Sequence, residues 1–182
     1  MEILLFTGYS ASGKSTIAGE INKKLNFYYL GEREILHNLA VSLGYKRTRE
    51  WLQHDGNEAL LEAARAETIA RIKEVDSKQG IILDGSYDHK LPSILKNTFP
   101  EARQLIICVA LDDQMRKERM SVRLGESAEK AEEERDIIDD FKRKAGIGNI
   151  IRTADVTINN VVSLTELVIT LNKKLEHLGI MK

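Results

Sequence analysis

Residues 8–15, close to the start of the chain, read Gly-Tyr-Ser-Ala-Ser-Gly-Lys-Ser and match the spacing G-x-x-x-x-G-K-S. The apolar run before them, residues 3–6, predicts a buried strand, and the residues after them have a helical pattern. In such a strand–loop–helix unit the glycines let backbone N–H groups turn toward a phosphate, and the helix N-terminus adds the positive end of its dipole. The motif predicts a nucleoside triphosphate site; the plainer alternative is a tight glycine turn with a surface lysine.

The side chains of this loop have separate predicted roles. We expect Lys14 to reach the β- and γ-phosphates and the Ser15 hydroxyl to ligate Mg²⁺, so ATP and Mg²⁺ are the expected cofactors. The residues expected to contact the nucleotide in this part of the chain are Gly8, Ser10, Ala11, Ser12, Gly13, Lys14, Ser15 and Thr16.

Length and charge limit the classes of protein that this chain can belong to. Its 182 residues are enough for one domain with a sizeable core, so residues 1–182 are predicted to form a single domain. The net charge of −1 argues against a general nucleic-acid surface. No apolar run approaches the length of a membrane span, and we expect a cytoplasmic protein whose oligomeric state is open. Cys108, the one cysteine, lies in an apolar run and is expected in the core.

Short apolar runs alternate with helical patterns along the whole chain. The predicted strands are residues 3–6, 27–30, 81–83, 105–109 and 156–158. The predicted helices are residues 14–25, 32–43, 57–78, 112–124, 128–144 and 163–178. This alternation predicts an α/β fold in which right-handed crossovers build a parallel sheet covered by helices. Both prolines, Pro92 and Pro100, are expected in connecting segments.

Asp84 and Gly85 come directly after the third predicted strand. A carboxylate at the C-terminal end of a strand beside the phosphate loop can orient Mg²⁺ or its water shell, and a glycine next to it leaves room for a second substrate. The alternative is a simple Asp-Gly turn. We favour the metal role because the phosphate loop lies upstream in the same chain.

Basic residues cluster after the fourth predicted strand. Arg116, Arg119 and Arg123 are spaced three and four apart, so they share one helical face, and guanidinium groups match phosphoryl oxygens well. We favour a functional role for this triplet. The next charged segment, residues 132–144, has a plainer interpretation as a solvated helix with pairs such as Arg135 with Asp139, and we expect this of Lys142 and Lys144.

The phosphate loop, Asp84 with Gly85, the arginine triplet and residues 154–159 together resemble the nucleoside monophosphate kinase group of P-loop kinases. The likeness is strongest to archaeal adenylate-kinase-related and dephospho-coenzyme-A-kinase-like proteins, and it spans nearly the whole chain. It implies a three-layer P-loop kinase fold with a five-stranded parallel sheet in the order 2-3-1-4-5. It also implies acceptor-binding helices at about residues 32–78 and a helical lid at about residues 116–148.

The resemblance also implies roles for single residues. Arg119 would pack near the donor adenine, Arg123 would touch donor phosphates from the lid, and Arg135 would close over the transferring phosphoryl group. Arg33 would bind the acceptor phosphate, with a helix-surface arginine as an equally weighted alternative. Asp84 and Gly85 would face the acceptor. Because adenylate kinases commonly carry an arginine shortly after Asp-Gly and this chain does not, His89 or Lys90 could take that part instead.

The implied activity is transfer of the ATP γ-phosphoryl group to a small phosphorylated acceptor, with a nucleoside monophosphate favoured. A nucleotide acceptor is already an anion, whereas a hydroxyl acceptor would need a base such as Asp84 or Asp88. Two alternatives stay open. One is a kinase of dephospho-coenzyme A or another small hydroxyl compound, and the other is an adenylate-kinase-like ATPase that acts as an assembly factor.

Overall fold

Five parallel strands form the central sheet of the computed structural model, which describes residues 1–76, 79–124 and 128–180. The strands are β1 (Glu2–Thr7), β2 (Tyr28–Gly31), β3 (Ile81–Asp84), β4 (Arg103–Ala110) and β5 (Val156–Asn159). They are ordered β2-β3-β1-β4-β5, and each neighbouring pair is parallel. The five predicted strands and the predicted strand order are confirmed.

Helices connect the strands as parallel crossovers require. They are α1 (Lys14–Leu25), α2 (Glu32–Ser42), α3 (Thr48–Glu74), α4 (Leu91–Thr98), α5 (Asp113–Leu124), α6 (Ala128–Lys144), α7 (Ile147–Arg152) and α8 (Leu164–His177). A capping box fixes the start of α8, where the Glu166 carboxylate accepts a hydrogen bond from the Ser163 backbone N–H at 3.0 Å. None of the described helices is both long and apolar enough to cross a bilayer.

The sequence-based prediction of the helices was wrong in three places. Two short helices, α4 and α7, lie in segments that were expected to be connections, and α3 begins at Thr48 rather than at Asn57. Pro92 lies in the first turn of α4, where the helix needs no donor from the proline nitrogen. Gly56 and the polar residues around it obscured the helical period in the first third of α3.

The core has a layer on each face of the sheet because successive side chains of a strand point to opposite faces. Leu4 and Phe6 of β1 pack with α1 and α8, whereas Ile3 and Leu5 pack with α3, α4 and α7. A third cluster joins α2, the N-terminal half of α3 and α6, and it includes Trp51 and Phe141. The carboxyl ends of the strands thus meet at one edge of the sheet, where α2, α6 and the phosphate loop converge.

Candidate active site

The loop of residues 8–15 leaves β1 and enters α1 in a conformation that requires glycine at two positions. Gly8 has φ +146°, and a Cβ there would lie 2.5 Å from the carbonyl oxygen of Val109. Gly13 has φ +89°, and a Cβ there would lie 2.3 Å from Nδ2 of Asn160. Larger residues at either position would displace the loop from the sheet. The motif glycines therefore set how closely the loop packs against β4 and the end of β5.

Asn160, directly after β5, fixes the loop from one side. Its Nδ2 donates a hydrogen bond to the Ser12 carbonyl at 2.7 Å, and its own carbonyl accepts one from Arg119 Nη2 at 3.2 Å. A pocket of about 370 Å³ opens beside this contact. The pocket is lined by Gly13, Lys14, Ser15, Thr16, Arg119, Asn160, Val162 and Leu164, among others. Phosphate-loop residues, a guanidinium and several apolar side chains thus line one cavity.

Helix α6 fixes the loop from the other side through Asp139. Its Oδ1 accepts a hydrogen bond from the Ser10 backbone N–H at 3.0 Å, and its Oδ2 accepts one from Arg116 Nη1 at 2.5 Å. The Arg116 guanidinium also lies 5.1 Å from the centre of the Tyr9 ring. Burial raises the pKa of Asp139, but the bonds from Ser10 and Arg116 and the charge of Lys142 outweigh burial and bring that pKa below its usual range.

Ser10 is occupied by these contacts, although the sequence predicted it as a nucleotide contact. Its N–H donates to Asp139, and its hydroxyl accepts a hydrogen bond from Lys142 Nζ at 3.1 Å. The Lys142 side chain is buried, so the prediction that it lies on a solvated helix face was wrong. The expected pair of Arg135 with Asp139 is likewise replaced by the pair of Arg116 with Asp139.

Buried carboxyl groups lie on the other side of the loop, where β2 and β3 end. Asp84 Oδ2 accepts a hydrogen bond from the Tyr29 hydroxyl at 2.9 Å, and Asp84 Oδ1 is buried with no hydrogen-bond partner among the described residues. A Cβ added at Gly85 would lie 3.8 Å from Glu32 Oε2 and 4.0 Å from Lys14 Cε. The glycine therefore keeps open the space into which Lys14 and Glu32 converge.

Glu32 and Asp88 extend this acidic region. Glu32 is 2% exposed, and burial, followed by the charge of Asp88, raises its pKa well above the usual range. Asp88 is 1% exposed and accepts a hydrogen bond from Arg65 Nη1 at 2.7 Å. The buried polar groups at this edge are thus the ion pair of Arg65 with Asp88 and the Glu32 carboxyl group, whose neutral form burial favours.

The arginines predicted from the family resemblance lie in different surroundings. Arg119 lines the pocket beside the loop, and Arg33 is exposed in the first turn of α2. Arg135 is 4% exposed and lies among the carboxylates of Asp113, Glu132 and Asp136. The Arg123 side chain lies outside the described part of the structure, so its lid role stays a prediction.

The two residues proposed as substitutes for the missing acceptor arginine have structural contacts. His89 Nδ1 lies 2.9 Å from the Ala145 carbonyl, and Lys90 Nζ donates a hydrogen bond to Glu58 Oε1 at 2.7 Å. His89 thereby joins the segment after β3 to the end of α6. Both side chains thus have partners within the protein and need no bound acceptor to hold them in place.

Several residues that shape the site were missed in the sequence. Two of them, Glu32 and Asn160, follow β2 and β5 directly, and the reasoning that singled out Asp84 at the end of β3 would have found them. Asp139 and Lys142 carried no such signal. They lie in a charged helix, and their contact with Ser10 spans about 130 residues of sequence.

Comparison with known families agrees with this geometry. The family described as AAA domain matches residues 7–141, which include the phosphate loop, Asp84 and most of α6. This chain belongs to the AAA domain family. A relative, the UPF0200 protein of Thermococcus sibiricus, is 29% identical over 189 residues, with 99% of this chain and 97% of that protein covered.

Solved structures with a similar fold include two shikimate kinases. The enzyme from Aquifex aeolicus has a TM-score of 0.61 at 17% identity, and 99% of each chain is covered. The enzyme from Bacteroides thetaiotaomicron has a TM-score of 0.65 at 15% identity, with 97% of this chain and 98% of that chain covered. Together with the AAA domain match, these structures confirm the predicted three-layer P-loop kinase fold.

Proposed function

We propose that this protein is an ATP-dependent phosphotransferase that moves the γ-phosphoryl group of Mg·ATP to a small acceptor, a nucleoside monophosphate being the first candidate. The observation that carries the proposal is the conformation of residues 8–15. The loop is held between Asn160 and Asp139, and its lysine points toward buried carboxyl groups at the carboxyl edge of the sheet. A loop held in this way cradles phosphates without reorganising when they bind.

The pocket beside Arg119 is the proposed site for the donor nucleoside. Its lining combines phosphate-loop residues with the apolar side chains of Val162 and Leu164, so it offers contacts for both a polyphosphate and a base. The Arg119 guanidinium is held by the Asn160 carbonyl, and its planar face suits stacking on a base. Apolar walls beside the Arg119 guanidinium favour a nucleotide over inorganic polyphosphate.

The residues present fit a magnesium ion. Asp84 Oδ1 is a buried carboxylate oxygen without a partner among the described residues, and Ser15 is exposed at the start of α1. Oxygen ligands of this kind are those that Mg²⁺ binds. When bound, the ion neutralises charge on the phosphate oxygens. Ser15 and Asp84 are the residues that would hold it.

The protein's own groups have three tasks in the proposed reaction. Lys14 compensates the negative charge that spreads over the γ-phosphoryl oxygens, and Tyr29 orients the Asp84 carboxylate by its hydrogen bond. The helices α2 and α6 exclude water, because they pack over the carboxyl edge of the sheet through one apolar cluster. We further propose that Arg33, exposed in the first turn of α2, attracts an anionic acceptor to this edge.

A hydroxyl compound is the second candidate acceptor, and one specific observation favours it. Asp84 and Glu32 are buried beside the space that Gly85 keeps open at Lys14, and Asp88, also buried, is close enough to Glu32 for its charge to act there. Carboxyl groups can accept the proton of a hydroxyl nucleophile, whereas a phosphate acceptor would be repelled by those that are ionised. The solved shikimate kinases with this fold carry a name that refers to such a hydroxyl acceptor.

A panel of acceptors tests both candidates. Mg·ATP and the protein are incubated with AMP, CMP, UMP, GMP, dTMP, dephospho-coenzyme A or shikimate, and the phosphorylated product is identified by ³¹P NMR. Formation of a nucleoside diphosphate supports the first candidate, and a new phosphomonoester on a hydroxyl group supports the second. ADP release that no acceptor stimulates contradicts both and favours an ATPase that works with a macromolecular partner.

A further inference from the structure

Lys142 is a buried lysine that α6 directs at the phosphate loop. Its side chain is 5% exposed, and its Nζ donates a hydrogen bond to Ser10 Oγ at 3.1 Å. The next two residues of the same helix, Arg143 and Lys144, are exposed and pair with Asp140 at the surface. One cation of this basic triplet is therefore turned inward, and the fold places it at the loop itself.

The charged groups around Lys142 come from four elements. Asp139 lies on the same helix, Lys14 on the loop and α1, Glu32 on α2, and Arg116 on α5. Burial, followed by the positive charge of Lys14, lowers the pKa of Lys142 to about 7, although Asp139 and Glu32 act in the opposite direction. A second lysine side chain is thus held close enough to Lys14 for the two positive charges to repel each other.

Neither of the neighbouring carboxyl groups, those of Asp139 and Glu32, neutralises the charge of Lys142 by pairing with it alone. The Asp139 oxygens accept hydrogen bonds from the Ser10 N–H and from Arg116, and burial raises the pKa of Glu32 so that its neutral form is favoured. A buried lysine and a half-buried lysine beside a phosphate loop are compatible when an anion of charge −2 or more lies between them. The polyphosphate of a nucleotide is an anion of that kind.

We propose that Lys142 is a second phosphate-binding lysine, which α6 supplies to the phosphate loop beside Lys14. The inference rests on the nucleotide binding in the proposed function and deepens it, because it assigns a phosphate contact to the helix that forms the predicted lid. A bound polyphosphate stabilises the protonated form of Lys142, so binding takes up a proton at pH values above 7. A lysine that only held Ser10 in place would not change its protonation when a nucleotide binds.

Calorimetric titration with a non-hydrolysable ATP analogue and Mg²⁺ measures this proton directly. Repeating the titration in buffers of different ionisation enthalpy gives the number of protons taken up per nucleotide bound. From a pKa of about 7, uptake attributable to Lys142 is expected to be about 0.9 proton at pH 8 and about 0.1 proton at pH 6. Lack of uptake at pH 8 would overturn the inference, even if the analogue binds well.

Two substitutions of Lys142 test whether this residue takes up the proton when the analogue binds. Lys142→Arg keeps a permanent positive charge, so it should bind the analogue within about threefold of the wild type and lose the uptake at pH 8. Lys142→Met removes the charge and should weaken binding by about 10- to 100-fold. Lys144→Met, at an exposed position on the same helix, should change neither quantity. Wild-type uptake in both Lys142 variants would overturn the inference.

Failure of the inference and failure of the proposed function give different results. Analogue binding without proton uptake contradicts the role of Lys142 and leaves the nucleotide site in place. Absence of any analogue binding contradicts both. Circular dichroism of each variant shows whether it is folded, and the wild-type titrations at the two pH values test the inference without any variant.

Discussion

The carboxylate of Asp139 accepts a hydrogen bond from the backbone N–H of Ser10 at 3.0 Å, and this contact joins the predicted lid helix to the phosphate loop. Backbone N–H groups of such a loop are the donors that bind phosphate. In this protein one of them is used to fix the loop to α6. The position of α6 and the shape of the loop are therefore coupled, and a change at Asp139 should affect both stability and turnover.

Replacing Asp139 with Asn tests this coupling. An amide oxygen can still accept from Ser10, but Arg116 loses a buried charged partner at 2.5 Å, so the free energy of unfolding should fall by about 3 kcal/mol. Urea unfolding measures this loss. Asp140→Asn is the control, because Asp140 forms its pairs at the surface, so the variant should lose far less stability than Asp139→Asn. Equal losses in the two variants would contradict the coupling.

The same carboxylate predicts how stability depends on pH. The pKa of Asp139 in the folded protein lies below its usual range, since the bonds from Ser10 and Arg116 outweigh the effect of burial. A lowered pKa means that the stabilisation is fully present above the unfolded-state pKa of about 4 and is lost as the pH falls through the folded-state value. The stability difference between wild type and Asp139→Asn should therefore shrink below pH 4. A difference that grows there would contradict this assignment.

Gly13 and Gly19 provide a matched pair of substitutions to alanine. Gly13 has φ +89°, and its Cβ would meet Asn160 at 2.3 Å, so Gly13→Ala should cost about 1–3 kcal/mol and weaken nucleotide binding. Gly19 lies inside α1 with nothing within 4 Å of a Cβ, so Gly19→Ala should be neutral or stabilise the protein by up to about 1 kcal/mol. Thermal unfolding compares the two. Equal stability of both variants would contradict the close packing of the loop on Asn160.

Tyr29 is predicted to act through Asp84. Removing its hydroxyl in Tyr29→Phe breaks the 2.9 Å hydrogen bond, so about fivefold more Mg²⁺ should be needed for half-maximal turnover. Tyr28→Phe is the control, because Tyr28 is an equally exposed neighbour on the same edge strand. Magnesium titrations of the steady-state rate measure the effect. An unchanged requirement in Tyr29→Phe would show that this hydrogen bond does not tune a metal ligand.

Arg119 is predicted to bind the donor rather than the reacting phosphoryl group. It lines the pocket beside the loop and is held by the Asn160 carbonyl. Arg119→Ala should raise the KM for ATP by about tenfold and lower kcat by less. Arg152→Ala, at an exposed position on α7, should leave both constants unchanged. A large fall in kcat at constant KM would instead place Arg119 at the transferring group.

The sheet could be predicted from the sequence because its three central strands, β3, β1 and β4, are apolar runs largely buried on both faces, and its two edge strands are short runs bounded by polar or glycine residues. All five runs became strands, and their order followed from the family resemblance. The phosphate loop could be predicted because its glycines are required by the local backbone. The short helices α4 and α7 could not, since six to eight residues are too few to show a helical period.

The position of Lys142 could not be predicted, because the spacing of charged residues in α6 shows which of them share a helical face but not what that face packs against. Charged residues three and four apart indicated intrahelical pairs, and this holds for Asp140 with Lys144. For Asp139 and Lys142 the partner is Ser10, which the fold brings close from the other end of the chain. Asn160 and Glu32 were within reach of sequence reasoning, because polar residues at the carboxyl ends of parallel strands line the site in such sheets.

The most direct test of the account is the release of ADP from Mg·ATP by the wild type and by Lys14→Ala, each with the acceptor that the panel identifies. Lys23→Ala is the control, since Lys23 is an exposed lysine on the same helix. We predict that Lys14→Ala lowers turnover at least about 100-fold while the protein stays folded, and that Lys23→Ala has wild-type turnover. Wild-type turnover in a folded Lys14→Ala protein would contradict the assignment of residues 8–15 as the phosphate-binding loop.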